Sequence, residues 1–266
     1  MCRRYGVTRG GYYAWCGRKS SLRAREDEVL RVRIGAIFEA SESTYGSPRI
    51  HAALRRAGLR VGRKRVARLM REVGLKARSA RIYRRTPGTR RFFGDIPNRV
   101  LEVKTTAPGQ IWVGDVTYLK IECGWRYLAV VLDRHSRRVL GWRLGLRRDL
   151  TLTTGALNRA VARRRLPPGL IFHSDRGVEY SAYAFRARLA ALGITQSMKR
   201  PREIGDNAFV ESFFHSMKAE AIHARAFPVE HALREAVGTY IRRYNRTRLH
   251  SSLGYRSPID YEKTVA

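Results

Sequence analysis

From residue 110 onward the apolar and polar positions fall into short blocks whose period switches between two and 3.6. Ile111–Leu119, rich in Trp, Val, Tyr and Thr, reads as a strand. After Gly124, Arg126–Leu132 contains YLAVVL, a nearly continuous apolar run suited to a strand buried on both faces. Val139–Leu146 is a third strand, beyond the charged turn Asp133–Arg138, and the hairpin spacing of the three predicts an antiparallel meander. The pattern then turns helical over Thr151–Arg164, with Leu157, Ala160 and Val161 on one face, and Pro167, Pro168 and Gly169 end it. Leu170–His173 is a short buried strand, Ser181–Leu192 a helix with Phe185, Leu189 and Leu192 in register, and Ile194–Met198 a fifth strand. A last helix begins near Asp206–Asn207, where Phe209, Phe213 and Met217 repeat every four residues as its core face. The order βββαβαβα predicts an α/β fold, a mixed five-stranded sheet flanked by helices.

The front of the chain has a different texture. Ser47 caps a helix carrying Pro48 in its first turn, and Ile50, Leu54 and Ala57 share one face until Gly58 stops it. A second helix near residues 63–73 buries Val66, Leu69, Met70 and Val73 and sends Arg63, Lys64, Arg65, Arg68 and Arg71 outward. Two short helices around a glycine turn predict a helix-turn-helix whose second helix faces DNA. Residues 76–105 lack sustained periodicity and hold Pro87, Gly88, Gly94 and Pro97, the texture of a linker, with Arg pairs interleaved with Tyr83, Phe92 and Phe93. The expected organisation is a basic helical region over 1–78, a basic linker over 79–105, the α/β core over 106–222, and a C-terminal helix and basic tail over 223–266.

Charge sharpens this division. The 266 residues carry a formal charge of +32, and residues 1–105 hold 27 Lys and Arg against 8 Asp and Glu. Such an excess repels itself in a compact chain and makes a polyanion the expected partner. With 44% hydrophobic residues a real core is available, which excludes wholesale disorder. No apolar run approaches the roughly 18–20 residues of a membrane span, and no secretory signal opens the chain. Cys2, Cys16 and Cys123 form neither a disulfide framework nor a metal pair. A soluble, intracellular nucleic-acid-binding protein is expected.

Three acidic residues stand where charge is costly or well aimed. Asp115 lies mid-strand in WVGDVTYL, and a buried carboxylate must be paired or bind a metal. Asp175 follows the fourth strand directly, at the mouth of a sheet where ligands bind. Glu211 sits about 200° around its helix from Phe213, with Asn207, His215 and Lys218 on the same stripe. Each alone has a plain structural reading: an Arg partner, a turn, a surface position. Together they are hard oxygen donors without thiols, which suit Mg²⁺ or Mn²⁺ and two-metal phosphodiester chemistry.

The segments QIWVGDVTYL (110–119), IFHSDRGVEY (171–180) and DNAFVESFFHSMK (206–218) resemble the integrase core of bacterial insertion-sequence transposases, the second-reading-frame type related to retroviral integrases. Thirty-five residues separate Asp175 from Glu211, the spacing that names this D-D-35-E family, and Lys218 follows Glu211 by seven. YGSPRIHAALR (45–55), GRKRVARLM (62–70) and YNRTRLHSSLGYRSP (244–258) extend the resemblance over nearly the whole chain. It implies a ribonuclease H-like fold and Mg²⁺-dependent DNA cleavage and joining, with Mn²⁺ as a substitute and two ions per site. Asp115, Asp175 and Glu211 would be the metal ligands, water the nucleophile for nicking, and a DNA 3′-hydroxyl the nucleophile for strand transfer. Lys218 would meet the phosphate near the scissile bond, His173 would pack or hydrogen-bond near the site, and Asn207 would bond at its helix start. The implied partners are double-stranded DNA at element ends and target, further copies of the chain on DNA, and a segment from an upstream reading frame. The implied location is the bacterial cytoplasm, on the nucleoid when bound. The zinc-binding His/Cys amino-terminal domain of retroviral integrases has no counterpart here, which leaves end recognition to the basic helical region or an upstream segment. Two alternatives stand beside this reading: an inactive DNA-binding copy of the fold, and a structure-selective nuclease that hydrolyses without joining.

Overall fold

The computed structural model describes residue 4 and residues 6–17, 21–78, 96–200, 207–223 and 225–265. The chain divides into two compact units, Met1–Ala77 and Arg78–Ala266. Most of the expected linker, residues 79–95, lies outside the described residues.

The first unit is helical: α1 (Arg9–Cys16), α2 (Leu22–Ala40), α3 (Ser47–Arg56) and α4 (Arg63–Glu72). Ser21 caps α2 by accepting from Ala24 N–H at 3.2 Å. The cap of α3 falls on Gly46, not on Ser47: Ser47 is already the first helical residue and no side chain caps this end. Gly58 adopts φ +80°, a left-handed turn in which Leu59 N–H returns to Leu54 C=O at 3.0 Å. Leu30, Ile34 and Phe38 of α2 are buried, as are Ile50 and Leu54 of α3 and Val66, Leu69 and Met70 of α4. Val73, expected in that stripe, is 45% exposed because α4 ends before it.

The basic face of α4 splits in two. Arg63, Lys64 and Arg71 are exposed. Arg65 and Arg68, expected to point outward, instead converge on the buried Asp27 of α2, at 2.6 Å each to its two carboxylate oxygens. Arg68 also pairs with Glu72 at 2.6 Å, and Arg65 with Glu26 at 3.0 Å. These two arginines tie α4 to α2; an isolated carboxylate at 27 would otherwise be buried without a counter-charge.

The second unit is built on a five-stranded sheet: β1 (Ile111–Ile121), β2 (Gly124–Asp133), β3 (Val139–Gly145), β4 (Ile171–Ser174) and β5 (Thr195–Met198), in the order β3-β2-β1-β4-β5. The first three strands pair antiparallel; β4 and β5 join parallel to β1. This is the mixed α/β architecture of a ribonuclease H-like core, and the helical first unit precedes it along the chain.

Strand alternation sends Trp112, Ala129, Val131 and Leu140 to one face, against α5 (Leu150–Val161) and α7 (Tyr183–Ala191). Asp149 starts α5 by accepting from Leu152 N–H at 3.0 Å. The helix expected over 181–192 is α7, and a separate single turn, α6 (Val178–Ser181), precedes it. The other face carries Val113, Val130 and Leu132 against α8 (Ala208–Met217) and α9 (Glu230–Arg246). The core stripe of α8 is Val210, Phe213, Phe214 and Met217; Phe209 stays half-buried at the rim, beneath the Arg137 guanidinium 3.8 Å from its ring centroid. The segment 223–266 is no appended tail. Leu233, Val237, Tyr240, Ile241 and Tyr244 of α9 are buried in this second face, and α10 (Pro258–Val265) places Glu262 against Arg138 and Arg164 at 2.6 Å each. No described helix is long and apolar enough to cross a membrane.

Candidate active site

The pairing of β1 with β4 runs from Ile111↔Ile171 to Gly114↔Ser174 and stops. Asp115 and Asp175 are therefore the next residues on two parallel neighbours, released together at the end of the shared ladder. Parallel strands lie about 4.8 Å apart, so the register itself delivers both carboxylates to one place. Asp115 stays in the sheet on its other side, opposite Val130 of β2. Its Oδ1 accepts from Val116 N–H at 2.7 Å, and Asp175 Oδ1 accepts from Gly177 N–H at 3.0 Å.

Glu211 comes from the first turn of α8. Burying one side of that helix turns the opposite stripe to the cleft, which is lined by Asp115, Tyr118, Trp125, Glu211, His215 and Lys218 among others. Burial pushes the Asp115 carboxyl well above the usual range, and the charges of Asp175 and Glu211 push it further in the same direction. Burial likewise raises Asp175, against the pull of Arg148. The three carboxylates thus lie within electrostatic reach, although among the described residues no three His, Cys, Asp or Glu side chains are gathered closely enough to hold one metal ion.

The Lys218 ammonium sits 4.6 Å from the Tyr118 ring centroid. Burial lowers its pKa, while Asp115 pulls the other way. At Lys218 the helix widens into a π turn over Lys218–Ile222, a local distortion frequent at functional sites. Glu220 in that turn is held by buried Arg248, at 2.6 Å to Oε1, and by Arg243 at 3.1 Å. The 244–258 segment thus buttresses the backbone that presents Lys218.

His173 is buried and its Nδ1 lies 2.9 Å from Ser197 Oγ, a packing role as expected. Asn207 occupies the cap position of α8 but makes no side-chain cap bond, contrary to expectation; its Oδ1 is buried without a hydrogen-bond partner among the described residues. Sequence reasoning missed Arg148 and Glu179. Arg148 Nε donates to Glu179 Oε1 at 2.7 Å, and its Nη2 stands 3.6 Å from Asp175 Oδ2. Glu179 is 1% exposed, and its Oε2 has no hydrogen-bond partner among the described residues. A Cβ on Gly177 would lie 2.6 Å from Glu179 Oε1 and 3.0 Å from Arg148 Nη2, so glycine there makes room for the pair. The available signal was a second acid in IFHSDRGVEY, four residues after Asp175.

Residues 105–203 and 192–258 match the family described as integrase core domain, and residues 24–83 match the HTH-like domain. Transposase InsF for insertion sequence IS3A of Escherichia coli (strain K12) is 38% identical over 98% of this chain and 92% of its own length. A 31 kDa protein of insertion element IS600 from Shigella sonnei is 36% identical over 99% of this chain and 97% of its own. Among solved structures, the simian T-cell lymphotropic virus intasome in complex with PP2A regulatory subunit B56 gamma contains a chain that shares the fold. It is 18% identical over 79% of this chain and 69% of that chain, with a TM-score of 0.51.

Proposed function

The chain belongs to the IS3-type insertion-sequence transposases, and from that premise we propose that it acts in DNA transposition, cutting the ends of its element and joining their 3′-hydroxyls to target DNA by direct transesterification. The observation that carries the reading is the concentration of carboxylate charge at one cleft of a chain whose net charge is +32. Asp115, Asp175 and Glu211 are an all-oxygen donor set of the hardness that Mg²⁺ or Mn²⁺ prefers, and their mutual repulsion is relieved by a divalent cation. The donor chemistry of these residues fits the implied ions, and they would hold them, two to a site, once the three carboxylates are drawn together. When bound, such ions activate the attacking oxygen and stabilise the leaving one.

The chain's own groups supply the rest. Lys218, presented beside Tyr118 in the same cleft, takes a non-bridging phosphate oxygen near the scissile bond. Arg148 offsets charge at Asp175 and is kept from swinging away by Glu179. Exposed Arg63, Lys64 and Arg71 of α4 meet the phosphates of the element end. Joining two ends calls for at least two copies on DNA.

A strand-transfer assay tests this. Purified chain is incubated with a labelled duplex carrying the element end and a target plasmid, in Mg²⁺, Mn²⁺ or EDTA. Joined product is expected with either metal and none in EDTA. Asp115→Asn, Asp175→Asn and Glu211→Gln should each abolish it while DNA affinity stays near normal. Asp115→Asn removes a buried, repelled charge, so it should melt no lower than wild type in EDTA at neutral pH. Metal-dependent cleavage without joining would indicate a nuclease, and DNA binding with neither would indicate a non-catalytic copy of the fold.

A further inference from the structure

Phosphoryl transfer does not account for the exposure of two aromatic rings in the cleft. Tyr118 is 60% exposed and Trp125 49% exposed, although both lie on the rigid β1–β2 hairpin rather than on a loop. Tyr118 faces Tyr127 across the hairpin and Lys120 faces Trp125, so Tyr118 and Trp125 are diagonal neighbours on one side of it. The two rings meet edge to face, centroids 5.3 Å apart with planes at 79°, and the exposure of both residues leaves ring surface open to a third flat group. Cations surround them: Lys218 at 4.6 Å over Tyr118, and exposed Lys120 and Arg225 along the same cleft.

Aromatic faces interleaved with basic groups are what single-stranded nucleic acid binds, because every base has a flat π surface and every link a phosphate. Within a closed duplex the base faces are hidden in the stack, so an interior base must leave its pair to use them. We propose that Tyr118 and Trp125 form a stacking platform for an unpaired nucleobase beside the scissile phosphate, so that the chain receives a DNA end with its strands parted. This deepens the reading above and rests on it for the position of the scissile phosphate. The basic rim favours nucleic acid over a protein segment as the occupant.

The test is a binding measurement on the full chain in EDTA, where no chemistry intervenes. The probes are duplexes of one sequence whose end is either fully paired or carries a few unpaired nucleotides, one of them 2-aminopurine. Wild type should bind the parted end about tenfold more tightly and quench the 2-aminopurine. Trp125→Ala should lower parted-end affinity by roughly five- to tenfold and leave paired-end affinity unchanged, and Tyr118→Ala should lower parted-end affinity by a similar factor. Tyr118→Phe, which keeps the ring, should retain the preference. Both side chains are exposed, and unchanged paired-end affinity certifies the fold. Equal wild-type affinity for the two ends, or a preference that survives both alanine variants, would overturn the platform. Joining in Mg²⁺ by a chain without parted-end preference sinks the platform alone; preference without joining sinks the transposition chemistry alone.

Discussion

Arg148 and Glu179 are joined by one bond of 2.7 Å across 31 residues of sequence, and that bond decides what stands next to Asp175. Removing the arginine leaves a buried carboxylate without its cation. Because Arg148 is itself 41% exposed, the cost of Arg148→Gln should be about 1–3 kcal/mol, below that of severing a fully buried pair. Adding Glu179→Gln should recover part of it, and thermal melts of the two single variants and the double close the cycle. The site's residues were unequally legible. Asp115 could be read because a charge amid Val and Trp is conspicuous, and Asp175 because it ends a strand. Arg148 could not, because its meaning comes from the approach of the β3–α5 connection to α6, which no local pattern encodes. Asn207 looked like a cap on position alone; its side chain is buried without making the bond.

At the scale of elements, α4 shows how a basic stripe divides between partner and scaffold. Neutralising Arg63, Lys64 and Arg71 together should lower the log–log salt slope of DNA binding by up to roughly three, with little change in melting. Neutralising Arg65 or Arg68 should do the reverse, because they are committed to Asp27. Arg68 and Arg65 hold the Asp27 carboxyl below its usual range. Its contribution is therefore complete above the ordinary carboxyl pKa of about 3.9 and is lost as pH falls through the lower folded value. Asp27→Asn should accordingly weaken the first unit at pH 7, and melts repeated at decreasing pH should show the difference from wild type closing below pH 4. The period of α4 was visible in the sequence, but the acid that claims two of its arginines lies some forty residues upstream on another helix.

Across the whole molecule, the order of strands was legible because each apolar run has a length and a boundary of its own. The closing segment was not. It reads as a helix and a basic tail with nothing to tie the helix to the core, yet five buried side chains of α9 complete one face of the sheet. At about 1.5–3 kcal/mol each, they contribute on the order of 10 kcal/mol, comparable with the entire net stability of a domain. A chain ending at residue 222 should therefore lose cooperative unfolding, read by calorimetry. The last rung of the parallel ladder, Gly114 with Ser174, has a further consequence for how such a chain tolerates change in length. Each residue along a strand reverses the side on which the next one emerges. One amino acid gained or lost within Ile111–Gly114 would turn Asp115 through the sheet, whereas the hairpin tip at Glu122–Cys123 can grow without moving either carboxylate. Within this hairpin an insertion that keeps the site should therefore fall at the tip, and the four residues before Asp115 act as a ruler that cannot be recut.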